Sequence, residues 1–209
     1  MLLDKSVREL LAAFSSPDPT PGGGSASGLS SAIGASLLMM VAALPKTRSG
    51  ADDEKAALVF AARTLTAVRQ QLAEAIDADA TAYEQVVAAY KLPKASPEEQ
   101  PARKAAIQRA LKAATDVPLG VMRLSVEALD EAETVAANGH KGAASDVGVA
   151  VALLRAGLYG AWLNVDINLG GIQDEEYATA VRAEVERYTR QAAAAAAAAE
   201  ASLGPLANR

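Results

Sequence analysis

Cysteine is absent from this chain of 209 residues, and histidine occurs only once, as His140. The absence of cysteine excludes disulfide bonds, thiolate catalysis and cysteine-ligated zinc. A single histidine excludes a metal site built from several histidines of one subunit. We therefore expect no metal centre, and we expect His140, which lies in a polar loop, to be a surface residue.

Basic residues are fewer than acidic ones: the chain has 20 lysines and arginines and 25 aspartates and glutamates, which gives a net charge of -5 at pH 7. This charge argues against a nucleic-acid partner, which would need a basic face. The first residues carry an early acidic group and no long apolar core, so we expect no signal peptide. The longest apolar run, 32–44, is short for a bilayer span. These features predict a soluble, cytoplasmic protein with no membrane partner and a single domain over residues 1–209.

Aromatic residues make up only 4% of the chain, and no segment shows the alternation of apolar and polar residues that marks a strand. Alanine-rich segments with helical spacing predict an all-α fold, a bundle of about six helices of which at least two are long. The predicted helices are 3–14, 24–44, 51–90, 97–138, 144–169 and 174–203, with Ser145 as the cap of the fifth. Pro118 predicts two helices or one bent helix, hinged near 115–118, and the eight alanines at 192–199 predict a solvated or lightly docked helix end.

A glycine-rich segment, Pro21-Gly22-Gly23-Gly24-Ser25, precedes the second helix, which consists mostly of small residues and leucine. Glycines at this point let backbone N–H groups come close to a ligand or to another backbone. Two interpretations remain open. The segment forms the floor of a ligand site, or it forms a tight helix–helix crossing with no ligand.

Asp79 lies on the apolar seam of the long third helix. It completes a seven-residue line that also contains Leu58, Leu65, Leu72 and Val86. Because an unpaired buried charge is costly, a carboxylate at this position is either a functional group or a core residue satisfied by a neighbouring helix.

The fifth helix carries a polar and glycine-rich face. Asp146 and Asn164 point in the same direction, about five turns and 27 Å apart, so they cannot hold the same small reacting centre within one subunit. Gly157 and Gly160 lie near that direction and predict a close helix crossing.

Several motifs occur in a characteristic order: the segment 19–26, Asp79 with Ala82-Tyr83, the segments 91–94 and 114–118, and 145–150 followed by 164–168. Together they resemble the cyclodeaminase/cyclohydrolase family, which includes the cyclodeaminase domain of formiminotransferase-cyclodeaminase and the methenyltetrahydrofolate cyclohydrolases. The segment 138–142 departs from the family, which more often has Lys-Gly-Asn there.

The resemblance implies a soluble, all-helical homodimeric enzyme that acts on a reduced folate, a tetrahydrofolate one-carbon adduct, and needs no cofactor. It implies Asp79 as the general acid/base and Asp146 as a second catalytic carboxylate. The implied substrate-binding residues are Pro21, Gly22, Gly23, Gly24, Ser25 and Asn164.

Two activities of the family compete. We favour methenyltetrahydrofolate cyclohydrolase, because no formiminotransferase is attached to the chain. The alternatives are formiminotetrahydrofolate cyclodeaminase, which releases ammonia, and a non-catalytic helical dimerisation module. In either enzyme the glutamate tail of folate needs cations, and the candidates are Lys46, Arg48, Lys94 and Arg155.

Overall fold

The computed structural model describes residues 1–204, and it is helical, as the sequence predicts. Within that range the only β-pairing is an isolated bridge between Thr47 and Gly139. The α-helices are α1 (Val7–Phe14), α2 (Gly23–Ala42), α3 (Asp52–Lys91), α4 (Glu99–Asn138), α5 (Ala144–Leu169) and α6 (Glu175–Leu203). Two short 3-10 helices, Leu2–Asp4 and Lys141–Ala143, precede α1 and α5.

Helices α2 to α5 form a four-helix bundle. Helix α2 packs between α3 and α5, while α4 packs on the same two helices from the opposite side and carries α6 on its outer surface. The helix α2 is half as long as α3 and α4, with 20 residues against 40. Part of the bundle therefore consists of α3, α4 and α5 without α2.

Small residues bring α2 and α5 into close contact, as Gly157 and Gly160 predict. A Cβ added at Gly157 would lie 2.7 Å from the Ser27 carbonyl oxygen, and one added at Gly160 would collide with the Ser27 hydroxyl. Only glycine allows the two backbones to approach this closely. Beside this crossing, the hydroxyls of Ser31 and Ser125 lie 2.8 Å apart and tie α2 to α4.

Helix α4 continues through Pro118 as a single helix, so a break into two helices is not observed. Proline lacks the N–H that would bond to the carbonyl of Ala114, one turn earlier. The side chain of Asn168 on α5 supplies the missing donor, because its Nδ2 donates to the Ala114 oxygen at 2.8 Å. The cost of the interior proline is thus reduced by a residue from another helix.

Three local predictions differ from the structure. The first helix starts at Val7, because Ser6 and Glu9 form a capping box there. Helix α5 has Ala143 rather than Ser145 before its first turn, and the half-buried His140 caps the preceding 3-10 turn by accepting from the Gly142 N–H.

The alanine run of α6 is not merely solvated. Ala192, Ala196 and Ala199 are buried in the core, since their spacing of three and four residues places them on the side of α6 that faces the bundle. The small side chains allow α6 to lie close to α4.

By length and composition alone, α2 and the segment Lys141–Leu169 could cross a membrane. The expectation that the apolar runs are too short for this was therefore wrong for α2, which extends the run to 20 residues. Both segments nevertheless pack in the bundle. Of the most apolar 18 residues in each, 56% are buried in α2 and 39% in the segment Lys141–Leu169.

Candidate active site

The first turn of α2 brings Asp79 and Asn164 together. A Cβ added at Gly24 would lie 2.5 Å from Cγ of Asp79, and one added at Gly23 would lie 3.4 Å from Nδ2 of Asn164. The carboxyl group from α3 and the carboxamide from α5 thus flank the same helical turn. Glycine is needed at position 24, because any side chain there would displace the Asp79 carboxyl.

The Asp79 carboxyl is half-buried, and it is bonded to Ser25, whose hydroxyl lies 3.0 Å from Oδ2 of Asp79 and 2.9 Å from the Ile76 carbonyl oxygen. Burial raises the pKa of Asp79 above its ordinary value, although the side-chain and backbone hydrogen bonds of Ser25 lower it in part.

The Ser25 hydroxyl has one proton for two acceptors. When it donates to the Ile76 carbonyl, its oxygen can accept a hydrogen bond from a neutral Asp79. When it donates to Asp79, the carboxylate is favoured. Both protonation states of Asp79 therefore have a hydrogen-bond partner, as an acid/base group requires.

Ser25 does not face a ligand, in contrast to the predicted substrate-binding role. Its side chain is fully buried, at 0% exposure, and holds Asp79 instead. Pro21 and Gly22 are half-buried in the turn before α2, and Gly23 is exposed. The segment Pro21–Gly24 thus lies beside the two functional side chains, with the first backbone N–H groups of α2 unpaired within the helix.

Asn164 is half-buried and oriented by its own helix, since its Nδ2 donates to the Gly160 carbonyl at 2.8 Å. That bond consumes one donor of the carboxamide and fixes the side chain. Its Oδ1 accepts no hydrogen bond from any residue in the range 1–204, and it remains an acceptor for a ligand N–H.

Asp146 does not lie at this site. It occupies the first turn of α5, about 27 Å along the helix from Asn164. Within one subunit, the structure therefore brings together Asp79, Asn164 and the glycine-rich segment, and leaves Asp146 at the other end of α5.

Beyond Gly23, helix α3 continues without α2 as a neighbour. Helix α3 extends past Asp79 by about 18 Å, to Lys91. Tyr83 and Tyr90 lie within about 40° of Asp79 around this helix, and they are 42% and 51% exposed. Neither tyrosine was predicted as a site residue, although their spacing of four and eleven residues from Asp79 was the available signal.

The sequence profile of the family described as formiminotransferase-cyclodeaminase matches residues 6–187. The chain is 39% identical, over 91% of its length and 92% of the relative's, to a methenyltetrahydrofolate cyclohydrolase of Methylorubrum extorquens. It is 32% identical to a formimidoyltransferase-cyclodeaminase of Sus scrofa, over 91% of this chain but only 35% of that longer protein.

The fold also matches a crystal structure. The formiminotetrahydrofolate cyclodeaminase of Thermotoga maritima superposes with a TM-score of 0.87 and 28% identity, covering 97% of this chain and 98% of the other. The family expected from the sequence motifs is thereby confirmed. The chain belongs to the formiminotransferase-cyclodeaminase family.

Proposed function

We propose that this protein is a methenyltetrahydrofolate cyclohydrolase, which hydrolyses 5,10-methenyltetrahydrofolate to 10-formyltetrahydrofolate in the cytoplasm. The observation that carries the proposal is the half-buried Asp79 carboxyl, with its raised pKa, between the first turn of α2 and Asn164. The similarity to a cyclohydrolase over nearly the full length of both proteins favours this activity over the alternatives.

In the proposed reaction, Asp79 acts first as a base. It removes a proton from water as the water oxygen bonds to the cationic amidinium carbon of the substrate. The protonated Asp79 then returns this proton to the pterin-ring nitrogen as the bond from that nitrogen to the carbon breaks. The hydroxyl of the intermediate loses its proton to solvent, which leaves a formyl group on the other nitrogen and releases one proton overall. A carboxyl with a raised pKa suits both transfers.

Two further features of the site serve the same reaction. While ionised, Asp79 lies where it can stabilise the cationic amidinium before water adds. The Oδ1 of Asn164 accepts from an N–H on the amide edge of the pterin, and the exposed Gly23 allows the ring to approach the backbone of α2. None of these steps calls for a metal or a redox cofactor.

The second candidate is formiminotetrahydrofolate cyclodeaminase, which the structural match favours. There the aminobenzoate nitrogen attacks the formimino carbon, and a protonated Asp79 assists the departure of ammonia. The two activities are distinguished by measuring the loss of methenyltetrahydrofolate absorbance and the release of ammonia from formiminotetrahydrofolate in parallel. We expect the protein to accelerate the loss of methenyltetrahydrofolate absorbance. Ammonia release alone would favour the deaminase. A protein that turns over neither substrate and is not thermally stabilised by any reduced folate would favour a dimerisation module.

We also propose a homodimer, formed by an apolar stripe on the adjacent helices α2 and α5. Its large members are between 41% and 75% exposed and follow helical spacing: Ile33, Met40, Val149, Tyr159, Leu163 and Ile167. A two-fold axis perpendicular to α5 would place the Asp146 end of one protomer beside the Asn164 end of the other. Asp146 would then complete the site of the partner.

Mixing variants tests this arrangement. Asp79→Asn and Asp146→Asn are each expected to be inactive, whereas a co-refolded mixture recovers about a quarter of the wild-type activity, because half of the dimers are mixed and each mixed dimer has one intact site. If the mixture stays inactive while sedimentation shows dimers, the shared site is wrong. A monomeric wild-type protein would refute the dimer itself.

A further inference from the structure

Tyr83 differs from the other tyrosines of the chain because its ring has no partner. The chain has five tyrosines. Four of them hold their rings against an aromatic or cationic side chain: Tyr90, Tyr159, Tyr177 and Tyr188. Within residues 1–204, Tyr83 has neither such a neighbour nor a hydrogen bond to its hydroxyl, and the residue is 42% exposed. Its aromatic face is therefore available to a ligand.

This ring lies next to the Asp79 carboxyl on α3. Tyr83 follows Asp79 by four residues, which is about 6 Å along the helix and about 40° around it. Residues at this spacing are neighbours on a helix surface, and helical side chains lean back towards the N-terminus of their helix. The ring of Tyr83 therefore extends from its own turn towards the turn that carries Asp79.

Helix α2 covers Asp79 from one side only. Gly28, farther along α2, lies against Ile76, since a Cβ added there would be 3.3 Å from Cγ1 of Ile76. From its contact with Asp79, α2 thus runs towards the N-terminus of α3, and it begins at Gly23. It does not continue over the turn of Tyr83. The Asp79 carboxyl therefore lies between the first turn of α2 and the ring of Tyr83, and a ligand that enters from the side without α2 meets that ring.

The charge of the substrate suits an aromatic face. In methenyltetrahydrofolate the positive charge of the amidinium is shared by two nitrogens and the carbon between them, in a planar ring. Aromatic faces attract cations, and they do so more strongly where water is excluded. Once water has added and a proton has been lost, neither the adduct nor 10-formyltetrahydrofolate carries this charge. An aromatic face beside Asp79 therefore binds the substrate more tightly than the product.

Tyr90 shows the same kind of contact on the same helix. It lies about 11 Å beyond Tyr83 and points in nearly the same direction. The guanidinium of Arg103 lies 5.7 Å from the centre of the Tyr90 ring and donates to the Tyr90 carbonyl at 2.9 Å. The protein thus supplies the cation at Tyr90, whereas the part of the chain that the structure describes supplies none at Tyr83.

We propose that Tyr83 determines specificity by stacking on the cationic five-membered ring of methenyltetrahydrofolate. The inference rests on the proposed function, because it takes the reacting carbon to lie at Asp79. Tyr83 covers one face of the ring and leaves the opposite face to the water that Asp79 activates. The contact is made before the reaction and weakens as the positive charge disappears. Its loss therefore raises KM and does not lower kcat.

The test compares Tyr83→Leu, which removes the aromatic face, with Tyr83→Phe, which keeps it. We expect Tyr83→Leu to raise KM for methenyltetrahydrofolate about tenfold, the size of one partly desolvated cation–π contact, with kcat no lower than in the wild type. Tyr83→Phe keeps the wild-type KM. The matched control is Phe60→Leu, at a 68% exposed position of α3 about 28 Å from Asp79, which keeps both constants. Thermal unfolding establishes that each variant is folded.

A binding measurement separates stacking on a cation from the burial of any apolar ring. It uses Asp79→Asn, in which turnover is slow, with and without Tyr83→Leu. The ligands are methenyltetrahydrofolate, which is cationic, and 5-formyltetrahydrofolate, which lacks that charge. We expect Tyr83→Leu to weaken binding of the cationic folate about tenfold and that of the other folate by less.

Three results would overturn the proposal: an unchanged KM in a folded Tyr83→Leu protein, equal weakening of the two folates, or a Tyr83→Phe variant as impaired as Tyr83→Leu. A protein that shows the expected difference in binding but hydrolyses no methenyltetrahydrofolate would support the stacking and contradict the proposed reaction. A protein that hydrolyses this substrate while Tyr83→Leu binds both folates normally would contradict the role of Tyr83 alone.

Discussion

Replacing Gly24 by alanine tests the contact between α2 and Asp79. The added Cβ would lie 2.5 Å from Cγ of Asp79 and closer still to Oδ1, whereas ordinary contacts of a Cβ begin near 3.4 Å. The carboxyl group must therefore retreat by about 1 Å, and a misplacement of this size costs on the order of 100-fold in rate. We expect kcat/KM for methenyltetrahydrofolate to fall about 100-fold, equivalent to about 2.7 kcal/mol.

The matched control is Gly120→Ala in α4, where the added Cβ would meet nothing within 4 Å. We expect this variant to keep its activity and to gain about 0.5–1 kcal/mol of stability, because alanine orders more readily in a helix than glycine does. Thermal unfolding of both variants separates loss of the site from loss of the fold. A Gly24→Ala protein that is folded and within threefold of wild-type kcat/KM would refute the placement of Asp79 against α2.

Two further predictions concern stability. Because the pKa of Asp79 is raised in the folded state, the folded protein holds that proton more tightly than the unfolded chain, and ionised Asp79 lowers stability at neutral pH. Asp79→Asn should therefore have a higher Tm than the wild type at pH 7, and the difference in Tm should shrink as the pH falls towards the unfolded pKa of about 3.9. A lower Tm of the variant at pH 7 would contradict this prediction. Asn168→Leu should lower the free energy of unfolding by about 1–3 kcal/mol, since it removes the donor to the Ala114 carbonyl. Adding Pro118→Ala, which restores a backbone N–H to that carbonyl, should recover part of the loss in a urea titration, and no recovery would show that the bond is not the cause.

The long helices could be predicted from the sequence because their apolar residues recur every three to four positions over many turns. The seven-residue line identified Asp79 as an anomaly within α3, and the glycines of α5 predicted its crossing with α2. These inferences needed only residues of one helix. The contact of Gly24 with Asp79 joins two helices that lie far apart in sequence, so no local pattern contains it.

The predictions that failed depended on side chains from distant segments. A break into two helices at Pro118 is absent, and Asn168 supplies a donor where proline lacks one. Ser25 was expected to contact a ligand, but its hydroxyl points inward to Ile76 and Asp79.

The most direct measurement of the central claim is the pH dependence of kcat/KM for methenyltetrahydrofolate hydrolysis, in the wild type and in Asp79→Asn, corrected for the uncatalysed reaction. If Asp79 is the acid/base group, the wild-type rate falls on the acid side at a pKa above the ordinary value of about 3.9. The variant should then be slower by about 100- to 10,000-fold and lack this limb. An Asp79→Asn enzyme with wild-type turnover and the same acid limb would contradict the account.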